Sequence, residues 1–337
     1  MLNEIKKLNA DNFEPNVYFE ILADQLNNDL EDVVTLEFPP NLYNPMKYAL
    51  GSKGKRFRPI ILILACESIN GKVHQAYNAS IAIEILHNFT LVHDDIMDND
   101  DLRRGRPTVH KKWNKNTAIL AGDGLIALAY RYLLRSKSRR LKNITKIFSE
   151  AIIRICEGQS LDKDLETVEM VSIDEYLDMI SRKTAILISV SAELGGILGG
   201  GDEKTVETLH SFGFELGMAF QIQDDLLDLT SNESELGKDS GSDIKEGKMT
   251  YPLIKLIEFA KSKDRNYVKD LIKNKNASDY DIINVQELLE KYGVVNHTKS
   301  IINKHINKAN TCLKGSSAIL KTDHLLYLSE KIRDRKY

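Results

Sequence analysis

Cysteine is scarce in this 337-residue chain. The only three, Cys66, Cys156 and Cys312, stand far apart, without the paired spacing of a disulfide framework or a zinc site. They are expected to be buried, reduced thiols. Proline is sparse too, at seven residues, and alternating apolar and polar runs between paired turn signals are rare, which argues against a sandwich or barrel of strands. No segment repeats at the length of a solenoid unit. No apolar run approaches the roughly 18 residues of a membrane span, and the opening MLNEIKKLNADNFEPN has no apolar stretch of signal-peptide length. Charge of one sign is not in excess either. Lys plus Arg total 46 against 49 Asp plus Glu, a formal net charge of -3 that favours neither nucleic acid nor an anionic membrane as a partner. A soluble, cytoplasmic protein is expected.

Helical periodicity fills most of the chain. Apolar residues recur at three-, four- and seven-residue intervals, as at Ile81, Ile85, Phe89 and Val92, and at Met179, Ile186, Val190 and Leu194. That predicts an all-α fold, and 42% apolar residues suffice for a substantial core with a deep cavity. Turn residues interrupt the pattern at 38–40, 51–54, 104–107 and 199–202. The longest polar interruption, residues 231–248, reads SNESELGKDSGSDIKEGK, with Leu236 and Ile244 its only large apolar side chains. Helical pattern of unchanged composition continues on both sides. The expectation is therefore a single domain over 1–337 with 231–248 as a lid loop.

Aspartate is concentrated twice. Residues 93–101 read HDDIMDNDD at the end of an apolar helical stretch, where Asp94 and Asp98 would project from one face with Cβ atoms roughly 5–6 Å apart. Residues 221–228 read QIQDDLLD, placing Gln221, Asp224 and Asp228 on one stripe. Each cluster has the form Asp-Asp-x-x-Asp. Acidic groups at a helix C-terminus are disfavoured by roughly 0.3–1 kcal/mol. One such cluster is as readily a solvated helix end, but two suggest compensation by bound cations. Magnesium takes oxygen ligands, usually one or two carboxylates with water and substrate phosphates, which suits clusters gripping a diphosphate.

The basic residues match an anionic substrate. Lys55 and Arg58, three apart after a glycine turn, can face one anion, and Arg103 and Arg104 follow the first cluster directly. His87 lies seven residues before Asp94, two helical turns away on the same stripe. A single histidine on an apolar helix is more often a core residue, and this alignment is what singles it out.

Taken together, LHNFTLVHDDIMDNDDLRRGRPTVH at 86–110 and FQIQDDLLDLTSNESELGKDSGSDIKEGKMTYP at 220–252 resemble the trans-isoprenyl diphosphate synthases, or polyprenyl synthetases, and most of all those of the archaeal geranylgeranyl type. The resemblance runs from about Gly51 to Pro252, with the motifs in family order. It implies an isoprenoid-synthase-type bundle of long helices around a deep central cavity, usually as a homodimer. It also implies that Asp94, Asp98 and Asp224 hold Mg²⁺, with Asp95, Asp225 and Asp228 completing the motifs; about three ions are expected once substrate is bound. Lys55, Arg58, His87 and Arg104 would hold isopentenyl diphosphate. Arg103, Lys183, Lys238 and Lys248 would close on an allylic diphosphate (dimethylallyl, geranyl or farnesyl), and Lys183, Thr184 and Gln221 would flank the allylic cation. Asp243 would help order the lid. Read alone, Lys183 is a surface lysine and Lys238 and Lys248 are solvated loop charges. The approach to Lys55 reads Ser52-Lys53-Gly54, a departure from the double glycine common in the family.

In that family the residues just before the first aspartate motif set product length. Here they are Phe89 and Thr90, one aromatic followed by a small side chain, and no insertion separates Asp95 from Asp98. The pattern implies geranylgeranyl diphosphate as product, with a farnesyl product or one of twenty-five carbons or more as alternatives. Rival readings explain less. A di-iron bundle would use Glu84-x-x-His87 and Glu207-x-x-His210 but gives the aspartate clusters no role. A noncatalytic partner subunit would not need both motifs intact, and a terpene cyclase would not need Lys55, Arg58 and Arg104. The closing KIRDRKY carries no assignment.

Overall fold

The computed structural model describes residues 8–230, 241–275, 277–316 and 318–335. Its helices are, in order, α1 (Pro15–Glu31), α2 (Pro40–Leu50), α3 (Phe57–Ser68), α4 (Val73–Asp98), α5 (Val109–Lys112), α6 (Lys115–Leu133), α7 (Leu141–Leu165), α8 (Ile173–Ile180), α9 (Ile186–Gly199) and α10 (Glu203–Thr230). They continue with α11 (Ser242–Glu246), α12 (Tyr251–Phe259), α13 (Ser262–Asn274), α14 (Asp279–Lys291), α15 (Val294–Lys314) and α16 (Asp323–Arg333). The all-α expectation holds. Its local exception is a two-stranded antiparallel hairpin, β1 (Leu102–Arg103) and β2 (Arg106–Pro107), which pairs Leu102 with Pro107 and Arg103 with Arg106. The connecting Arg104 and Gly105 sit at φ 53° and 72°, the positive values a two-residue type I′ turn requires.

The chain divides into two compact units. The first comprises Met1–Ser149, Val190–His210 and Leu313–Tyr327. Helix α3 lies inside it because its sequence, FRPIILILACES, is apolar almost all round; Ile60 through Leu64 are all buried. Glu67 at the end of α3 ties down the N-terminal segment, accepting the Ala10 N–H at 3.1 Å and the Tyr18 hydroxyl at 2.9 Å. Helix α4 begins where the Gln75 side chain accepts the Lys72 N–H at 2.7 Å. It ends at Asn99, whose left-handed conformation returns its N–H to the Asp95 carbonyl. Its 26 residues span about 39 Å.

The second unit comprises Glu150–Ser189, Ser211–Cys312 and Leu328–Tyr337. Helix α8 starts with a capping box, Ser172 with Glu175. The helical spacing of Met179 and Ile186 predicts an uninterrupted α-helix, but a π-helical turn, Ser181–Ala185, lies between α8 and α9. The turn is gripped on two sides. A Cβ at Gly158 of α7 would fall 2.3 Å from the Lys183 nitrogen, and one at Gly217 of α10 would fall 2.6 Å from the Ala185 Cα. Short α11 is bounded by Gly241 and Gly247, both left-handed, and its Ile244 is buried. The cysteines need one correction: Cys66 is buried as expected, but Cys156 is exposed and Cys312 half-buried. All are free thiols.

Candidate functional site

In the first unit the aspartate cluster occupies the last turn of α4, and its members have different surroundings. Asp95 is buried, at 4% exposure. Arg103 reaches it from β1, with Nε–Oδ1 at 2.8 Å and Nη2–Oδ1 at 2.6 Å, and the same guanidinium holds Asp100 at 2.9 Å. Burial pushes the Asp95 carboxyl up to about 6 against the pull of Arg103. Asp94 and Asp98 are half-buried on the same turn.

The hairpin separates the two arginines that adjoin in sequence. Arg103, in β1, turns back to the carboxylates, whereas Arg104, in the turn, donates to the Ser52 and Lys53 carbonyls at 3.3 and 3.2 Å. Gly54 makes this possible, since a Cβ there would lie 2.7 Å from the Arg104 guanidinium. Arg58 and His87, predicted on one anion, do meet, with Arg58 Nη1 and His87 Nε2 at 3.3 Å. A guanidinium only donates, so His87 Nε2 accepts and the ring proton sits on Nδ1. Burial first, then Arg58, Arg104 and Arg103, hold His87 well below its usual range. The ring is therefore neutral. Lys55 is exposed in the same loop.

Arg56, between these residues, is a structural brace that the sequence pattern did not separate from its neighbours. It is buried at positive φ, pairs with Glu84 at 2.6 Å, and donates to Asn27 Oδ1 at 2.8 Å and the Ser52 carbonyl at 2.6 Å. Glu84 is thereby committed to Arg56, and His210 to Glu193 at 2.9 Å. Both Glu-x-x-His pairs of the di-iron reading are thus divided among other partners. Phe89 is half-buried against His93, ring centroids 4.8 Å apart. The Thr90 hydroxyl donates back to the His87 carbonyl at 2.8 Å. A shallow cleft adjoins this region, lined among others by Tyr48, Leu91, Val92, Asp95 and Arg103.

In the second unit the middle aspartate is again the anchored one. Asp225 is buried and accepts hydrogen bonds from the Tyr176 hydroxyl and from Gln221 Nε2, the latter at 2.8 Å. Gln221 Oε1 in turn accepts the Thr184 hydroxyl at 2.8 Å. This chain fixes which way the Gln221 amide points, and burial raises the Asp225 carboxyl. Asp228 accepts the Ser242 hydroxyl at 2.7 Å and the Asp243 N–H at 3.1 Å, capping α11. Asp243 itself is pushed well above the usual carboxylate range by burial. Lys248 pairs with Glu246 at 2.5 Å. Of the lid expected over 231–248, residues 231–240, Lys238 among them, lie outside the described residues.

Asp224 is exposed and meets a cation from the chain's own end: Arg335 Nη1 lies 3.0 Å from its Oδ1. The Arg335 guanidinium also stacks over Phe220, 4.8 Å from the centroid, and the Arg335 carbonyl accepts Gln223 Nε2 at 3.0 Å. Lys183 pairs with Asp162 of α7 at 2.6 Å. Asp162, Tyr176 and Arg335 escaped the sequence reading because none belongs to a spaced motif. The carboxylates of Asp94 and Asp98 in the first unit, and of Asp224 in the second, are oxygen donors of the kind magnesium takes.

Residues 39–289 match the family model described as polyprenyl synthetase. The chain is 39% identical over 329 residues to a geranylgeranyl diphosphate synthase of Sulfolobus acidocaldarius, covering 95% of this chain and 99% of that one. It is 37% identical over 294 residues to a geranylfarnesyl diphosphate synthase of Natronomonas pharaonis, covering 82% and 84%. A crystal structure of the geranylgeranyl pyrophosphate synthetase from Pyrococcus horikoshii superimposes with a TM-score of 0.85 at 36% identity, covering 95% of this chain and 98% of that one.

Proposed function

This chain belongs to the polyprenyl synthetase family, and from that membership we propose that it is a prenyltransferase which condenses isopentenyl diphosphate with allylic diphosphates and releases geranylgeranyl diphosphate. One observation carries the reading. In each motif the middle aspartate is buried and tied down, Asp95 by Arg103 and Asp225 by Tyr176 and Gln221, while Asp94, Asp98 and Asp224 are less buried. Those three are assigned to Mg²⁺, about three ions with substrate bound. Bound magnesium would neutralise the diphosphate as it leaves.

The chain's own residues do the rest. The Lys183 ammonium pairs with the departing diphosphate, as do Arg103, Lys238 and Lys248. The hydroxyl and carbonyl dipoles of Thr184 and Gln221 face the allylic cation without attacking it. Neutral His87, with Lys55, Arg58 and Arg104, holds isopentenyl diphosphate. Its double bond attacks C1 of the cation, a carbon–carbon bond forms, and the proton lost from the adjacent carbon goes to the released diphosphate. Phe89 sets the length at twenty carbons. The geranylfarnesyl relative supports a longer product as the second reading. The working form is proposed to be a cytoplasmic homodimer; no helix among the described residues is long and apolar enough to cross a membrane.

The test is the substitution of Lys55, Arg58 and Arg104 by alanine, singly. Each variant is expected to raise KM for isopentenyl diphosphate at least tenfold, as loss of a charge-assisted contact implies, with KM for the allylic substrate nearly unchanged. Normal condensation by all three would refute the assignment.

A further inference from the structure

Lys183 is held from two directions by a single face of α7. Gly158 and Asp162, four apart, project from that face. At Gly158 the missing side chain lets the π turn approach so closely that a Cβ would sit 2.3 Å from the Lys183 backbone nitrogen. One helical turn on, Asp162 Oδ2 accepts from Lys183 Nζ at 2.6 Å. Backbone and side-chain tip of one residue are thus both fixed against α7.

Two features set this contact apart from an ordinary surface ion pair. The Asp162 and Lys183 side chains are only 11% and 23% exposed, so solvent screens the pair little. The lysine also stands on a π-helical turn, a rare local geometry that shifts the register of its side chain relative to an α-helix. An ammonium group has three protons on a flexible four-carbon stem. Asp162 takes one of them at 2.6 Å and so fixes the direction of the stem.

We propose that Asp162 is the positioning residue for Lys183, orienting its ammonium group toward the diphosphate of the allylic substrate. The inference rests on the reading of Lys183 given above. Asp162 itself touches no substrate. It acts by removing the conformational freedom that Lys183 would otherwise lose on binding. Gly158 serves the same end through the backbone.

The experiment compares wild type with Asp162→Asn and Asp162→Glu in the full-length protein, after circular dichroism and melting show that each is folded. The first measurement is the rate at which Lys183 is acetylated by acetic anhydride, read by mass spectrometry. The second is affinity for a geranyl thiolodiphosphate, which cannot ionise, by calorimetry with Mg²⁺. The expected result for Asp162→Asn is acetylation several-fold faster, together with roughly tenfold weaker binding of the allylic analogue, the loss of one charge-assisted hydrogen bond. Asp162→Glu should recover part of both, and affinity for isopentenyl diphosphate should not move. Unchanged acetylation would overturn the positioning role while leaving the proposed reaction intact. Faster acetylation with unchanged allylic binding would overturn both the positioning role and the assignment of Lys183 to the diphosphate.

Discussion

Residues of one type within one motif have opposite tasks here, and burial tells them apart. Asp95 is enclosed and shares the Arg103 fork with Asp100, whereas Asp98 is half-buried at the helix end. Asp95→Asn should lower stability by about 2 kcal/mol, because it leaves Arg103 short of a buried partner. Asp98→Asn should leave the urea midpoint within experimental error yet abolish turnover. Equal destabilisation by both would contradict the division of roles. The sequence showed the motifs but not this division. Asp-Asp-x-x-Asp spacing marks a shared helical face, while the partners that bury one member come from elsewhere, Arg103 from the hairpin and Tyr176 from α8. Arg56 was hidden for the same reason: among four neighbouring residues three are basic, and only the position of Glu84, 28 residues away, shows that Arg56 is internal.

Elements were legible where their periodicity was long. Helix α4 follows from the apolar spacing of Ile81, Ile85, Phe89 and Val92, and the aspartates at its end fall where the pattern stops. The π turn was not legible, because Met179 and Ile186 are seven apart, an interval that also fits two turns of α-helix. The hairpin escaped because two-residue strands are too short to alternate. The elements also predict two responses. Burial raises the carboxyl of Glu67, which pins Ala10 and Tyr18 to α3, from the ordinary 4.5 to about 7. Folding therefore favours its protonated form, so its contribution to stability is complete below about pH 4.5 and is lost as pH rises through about 7, a change on the order of 3 kcal/mol. Glu67→Gln should remove that decline in melting temperature across the same window; an identical decline in the variant would contradict it. At the chain's end, Arg335 competes with any cation for Asp224. Arg335→Ala should tighten Mn²⁺ binding in the presence of inorganic diphosphate by up to about fivefold, the value of an exposed ion pair. Electron paramagnetic resonance reads it, and unchanged or weaker binding would count against it.

At the scale of the whole molecule, the absence of charge excess and membrane-length runs narrowed the partners, and the two aspartate motifs with their basic companions carried the family. Product length is the finest reading the pattern carries: it rests on Phe89 and Thr90 before the first motif, and the relatives include both a geranylgeranyl and a geranylfarnesyl synthase. Phe89→Ala should shift products to longer chains if the ring, seated against His93, limits growth; an unchanged distribution would move that limit elsewhere. The most direct test of the central claim is to incubate the purified protein with Mg²⁺, labelled isopentenyl diphosphate and, separately, dimethylallyl, geranyl and farnesyl diphosphates, then resolve the dephosphorylated products by length. Label is expected in geranylgeraniol from each starter. No incorporation from any starter, by protein shown to be folded, would contradict it.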